Sequence, residues 1–145
     1  MIAVALALAA LVAAPPKPPI VQRPIPFGAQ RKAEMAAYSK RHYGTAQWRL
    51  IDPKVIVEHY TAIGIEHVGR SATGILSNAR QIAASLALTR WLMARFHITQ
   101  RNVIGHAESL SSPYHHELVA SLRTQTHGDW NAGEMVRYRA LLKPA

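Results

Sequence analysis

Residues 78–96 constrain the fold of this chain more than any other stretch. Ile82, Leu86, Met93 and Phe96 recur at the 3.6-residue helical period, and Leu88, Trp91 and Leu92 widen the apolar face. Asn78 stands where a capping side chain belongs. The pattern predicts a long core helix. Before it lies Val55-Ile56-Val57-Glu58-His59, and after a turn at 99–102 comes Val103-Ile104-Gly105-His106. Both are short apolar, β-branched runs that end in a histidine, the pattern of buried strands. Strand and helix in alternation predict an α/β domain.

The remaining segments fit around that frame. Residues 30–41 suit a basic surface helix stopped by Gly44, and Asp52-Pro53 marks a turn. Pro113 opens an expected helix through Leu122, and 133–142 form a last basic helix. Residues 2–14 are apolar but shorter than the roughly 20 residues a membrane-spanning helix needs. They match the hydrophobic part of a secretory signal, with Ala13-Ala14 as the small-residue setting for cleavage, although no Lys or Arg precedes Lys17. Residues 1–14 are therefore a signal-like segment, and the mature form is expected to carry no membrane span. Prolines 15, 16, 18, 19, 24 and 26 make 15–26 an extended linker, and 27–145 the folded domain. With no cysteine in 145 residues, disulfides and thiolate metal sites are excluded. Seventeen Lys and Arg against eight Asp and Glu give a formal charge of +9, which favours an anionic partner without choosing one.

His59, His106 and Asp129, the last in Thr126-His127-Gly128-Asp129-Trp130, are the candidate metal ligands. Imidazole and carboxylate suit zinc, whose catalytic sites take three protein ligands plus a water. Singly, each has a plainer reading: a structural core histidine, or an Asx turn bent at Gly128. On the residues alone the two readings stand level. Glu66, in Ile63-Gly64-Ile65-Glu66-His67-Val68, is either a general base in an apolar wall or a strand residue facing solvent. Glu108 and Glu117 are expected to be surface groups. His42, His67 and His97 are expected to be surface or rim histidines, and Trp48, Trp91 and Trp130 core or rim packing. His115 and His116 are adjacent and so share no helix face for chelation.

Taken together, the strand with His59, the Ile-Gly-Ile-Glu strand, the helix after Asn78, Val103 to Ser109 and the Thr126 to Trp130 patch resemble the N-acetylmuramoyl-L-alanine amidase family. This is a group of zinc-dependent cell-wall hydrolases that includes a phage lysozyme and the peptidoglycan recognition proteins. The resemblance implies a mixed central sheet flanked by helices and zinc held by His59, His106 and Asp129. It implies Glu66 as the group that activates water and His127 as the group that steadies the oxyanion. The implied reaction is hydrolysis of the amide between N-acetylmuramic acid and L-alanine in peptidoglycan, by a secreted monomer. Nucleic acid is not an expected partner, because no aromatic-basic recognition motif accompanies the charge. The rival reading is a non-catalytic peptidoglycan-binding module.

In the family a long segment separates the first histidine strand from the Ile-Gly-Ile-Glu strand. Here His59-Tyr60-Thr61-Ala62 runs straight into Ile63, an apparent internal deletion that makes the domain a truncated, incomplete version. In one continuous strand Glu66 would lie seven residues and about 23 Å from His59, on the opposite face. A parallel pairing between the two runs would need a crossover of about a dozen residues. With so short a join, Glu66 is expected to be displaced, with a bare sheet edge, reduced stability and weak turnover.

Overall fold

The computed structural model describes residues 13–59 and 65–143. In chain order the elements are α1 (Ala29–Tyr43), β1 (Ile56–His59), β2 (Ile65–Glu66), α2 (Ala72–Ser77), α3 (Ala79–Phe96), β3 (Val103–Gly105) and α4 (Ala132–Leu142). The strands form one sheet in the order β2-β1-β3, and α2, α3 and α4 pack on one another. The fold is α/β. Among the described residues both pairings are parallel, where a mixed sheet was expected.

The ends of α3 and α4 follow from side chains. Asn78 accepts from the Gln81 N–H at 3.1 Å, and Asn131 accepts from the Gly133 and Glu134 N–H groups while Glu134 accepts from the Asn131 N–H. At the end of α1, Gly44 takes φ 80°, and its N–H donates to Lys40 O, closing the helix. The core collects Ile56 and Val103 from the sheet, Ile82 and Leu86 from α3, and Met135 and Tyr138 from α4. α1 stands largely exposed and is held at its C-terminal end. His42 Nδ1 meets Glu117 Oε2 at 2.8 Å, and the Leu118 N–H donates to His42 O.

Several expectations need correction. The region 113–122 is not a helix; only Ala120–Leu122 forms a 3-10 turn. Its backbone is committed elsewhere, with the Leu118 N–H on His42 O and Glu117 O accepting from Arg123 Nε. His42 and His67 are core residues, each 3% exposed, because each is tied to a carboxylate. Glu108 and Glu117 are half-buried ion-pair partners of Arg139 and His42 rather than solvated surface groups.

The largest correction concerns the join between β1 and β2. The two runs are not one strand: β2 lies beside β1 in parallel, with Glu58 opposite Ile65 and His59 opposite Glu66, and the His67 N–H donates to His59 O at 2.9 Å. A dozen-residue crossover is required when the chain must travel back along a full strand. Here β2 pairs only with the last two residues of β1, so the return is about one residue of rise, ~3.3 Å. Residues 60–64, which include the Ala62–Ile63 junction, lie outside the described residues, as do 1–12 of the signal-like segment. No described helix is long and apolar enough to cross a membrane.

Candidate metal centre

The sheet register builds the site. Because Glu58 of β1 pairs with Gly105 of β3, the next residues, His59 and His106, leave the same end of the sheet side by side. Their rings lie 5.6 Å apart between centroids. The carboxyl ends of parallel strands are where α/β folds assemble their sites.

Asp129 reaches the pair through backbone contacts. The Ala107 N–H donates to Asp129 O at 3.0 Å, and Thr126 Oγ1 donates to His106 O at 2.8 Å. Trp130 takes the left-handed conformation, φ 52°, which is uncommon for a bulky residue and holds the chain in a sharp bend. Its carbonyl then sits against Gly105 so closely that a Cβ there would lie 1.7 Å from Trp130 O. Gly105 is thus the only residue type that lets the Asp129 segment close over β3.

His59 and Asp129 are buried, at 1% and 4% exposure, while the His106 side chain keeps 23%. One ligand atom from each of the three lies within 4.8 Å of the other two. His106 Nδ1 and Asp129 Oδ1 are 3.4 Å apart. A tetrahedral zinc with bonds of 2.0–2.1 Å separates its ligand atoms by about 3.4 Å, so the His106–Asp129 spacing and the donor types suit the ion. Burial pushes the His106 pKa down; Asp129 opposes this, and His127 and His59 add to it. The neutral imidazole so favoured is the form that ligates a metal.

These residues fall almost entirely within one match to known proteins. The family model for N-acetylmuramoyl-L-alanine amidase matches residues 58–128. Over that stretch, close to half of the chain, the sequence is similar to that family. Neither a curated protein nor a solved structure matches it significantly. Within the family region the structure gathers His59 and His106, with Asp129 one residue beyond its end. His127 is exposed, its ring 4.6 Å from that of His106. Glu66 is the in-register neighbour of His59 on β2, so the displacement expected from a continuous strand does not occur at the backbone. Glu108 lies behind the cluster, accepting from Arg139 at 2.8 and 3.1 Å and from the Gly105 N–H at 3.1 Å. Burial raises its pKa, and the guanidinium and backbone donors outweigh that, holding it low.

A second constellation behind the sheet was not foreseen. Glu58, adjacent to His59 but on the other face of β1, is fully buried and meets His67 Nε2 at 2.8 Å. Thr89 Oγ1 donates to its second oxygen at 3.0 Å. Tyr138 OH lies 2.9 Å from Thr89 Oγ1 and 2.6 Å from Ser85 Oγ. Burial and the nearby Glu58 carboxylate raise the Tyr138 pKa, keeping the phenol protonated. The carboxylate only accepts, which orders the chain: Ser85 donates to Tyr138, Tyr138 to Thr89, and Thr89 to Glu58. The signal was available in the sequence, since Ser85 and Thr89 fall on the same helical stripe as Ile82 and Leu86.

Proposed function

We propose that this chain is an exported, zinc-dependent amidase that cleaves the bond between the lactyl group of N-acetylmuramic acid and L-alanine in peptidoglycan. The observation that carries the reading is the convergence of His59, His106 and Asp129 at the carboxyl ends of β1 and β3. These three would hold the ion. Zinc supplies Lewis acidity toward the scissile carbonyl and lowers the pKa of a water to about 7. The protein's own groups do the rest. His127, exposed beside His106, donates a hydrogen bond to the carbonyl oxygen as charge builds on it. Glu66, in register with His59, takes the proton released when water adds to the carbonyl carbon and returns it to the departing L-alanine nitrogen as the C–N bond breaks. The +9 charge suits an anionic wall, and the signal-like segment suits export.

The test is release of stem peptides from purified cell walls, read beside zinc content by mass spectrometry. One zinc per chain is expected, with slow release that stops on chelation and in His106→Ala. Wall binding without amide cleavage, indifferent to chelator, would replace the amidase reading with a binding module.

A further inference from the structure

The first part of the expected linker, residues 15–20, lies against the domain. Its prolines at 15, 16, 18 and 19 favour polyproline II, with three residues per turn. Its exposure has that period: Pro15 and Pro18 are half-buried, whereas Ala13, Ala14, Pro16, Lys17, Pro19 and Ile20 are exposed. One edge of the extended segment therefore faces the protein, and the surface it meets is α3. Ala13 and Pro15 line a cavity with Arg90, Met93 and Ala94. The Lys17 ammonium lies 5.6 Å over the Trp91 ring, within cation–π range. Pro18, Pro19 and Ile20 border a 340 Å³ cavity with Ala84 and Leu88 of α3 and Ile65 of β2. The segment thus runs antiparallel to the helix. The lengths agree: Pro15 to Pro19 spans about 12 Å as polyproline, and residues 93 to 84 of α3 about 14 Å.

We propose that the α3 surface centred on Trp91 is a polyproline docking groove, that its resident ligand is this chain's own residues 15–20, and that the docked segment shields the outer edge of β2. β2 ends the sheet order, so its outer side has no strand neighbour among the described residues. An open edge invites pairing with another chain unless something covers it. Proline is suited to the task, because it lacks an N–H and covers the edge without extending the sheet. Its stiff backbone also leaves little entropy to lose on docking. The shielded strand is the one in register with His59.

Hydrogen exchange of the full chain, resolved by peptide, tests this. In Pro15→Gly/Pro18→Gly, exchange over residues 65–68 and 81–94 should accelerate about fivefold or more, with β3 and α4 unchanged. Pro24→Gly/Pro26→Gly is the control, since Pro24 and Pro26 are exposed and border neither cavity; its exchange should match the parent. Equal effects in both variants, no effect in the first, or acceleration spread evenly over β3 and α4 would each overturn the proposal.

Discussion

Glu58 and His59 are consecutive on β1, yet they end in opposite kinds of environment. Both faces of the strand pair a carboxylate with imidazole. Behind the sheet, Glu58 and His67 form a closed set in which each carboxylate oxygen meets a donor. In front, His59, His106 and Asp129 point ligand atoms at one another within 4.8 Å. The difference shows that residue type does not decide between a structural tie and a candidate metal site. Arrangement does: behind the sheet two side chains meet the two oxygens of one carboxylate, whereas in front three ligand-type side chains from separate segments gather within 4.8 Å.

That contrast can be broken outright at Gly105, which touches both sides. Trp130, seated on Gly105, also packs on His67 at 4.9 Å and Tyr138 at 5.4 Å between ring centroids. Gly105→Ala should cost more than about 4 kcal/mol, measured by denaturant unfolding, and remove zinc binding with it. The next effect separates the faces. Glu58→Ala should cost about 3 kcal/mol of stability, because His67 and Thr89 lose their shared acceptor in the core. His106→Ala should change stability by less than about 1 kcal/mol, its side chain being partly exposed, while abolishing zinc uptake. Similar unfolding curves for the two variants would erase the distinction. Zinc itself sharpens it: at a hundred times its dissociation constant the ion should add about 2.7 kcal/mol to unfolding, and nothing in Asp129→Ala.

The smallest effect lies far from both faces. The hydrogen bond from His42 lowers the Glu117 pKa, against a smaller opposing effect of burial. A carboxylate whose folded pKa lies below its unfolded value contributes stability above the unfolded value, and that contribution fades as pH falls through the lowered one. Denaturation midpoints of the parent should therefore drop on acidification below about pH 4.5 more steeply than those of Glu117→Gln.

Much of this was legible in the sequence where local chemistry governs. The apolar period and Asn78 gave α3, Gly44 the end of α1, and the β-branched runs β1 and β3. The illegible parts depend on distant partners. No local pattern says that the 113–119 backbone will bond to His42 and Arg123 instead of to itself. His67 looked like a rim residue because its partner, Glu58, sits nine positions away on a neighbouring strand. The three candidate ligands could be named from strand ends and a turn, but their convergence required the β1–β3 register and the bend at Trp130. The placement of β2 failed on an assumption about strand length, since a two-residue strand needs far less return path than a full one.

The parallel register of β1 and β2 has a consequence for engineering and for descent. The ladder partners on either side of the join are set by the sheet, so the intervening chain is free to vary in length. Growing that link from five residues to about 35 adds roughly 2 kcal/mol of closure entropy, which a folded insert can offset through its own contacts. An insertion there would leave the β1–β2 register, and with it the backbone positions of His59 and Glu66, in place.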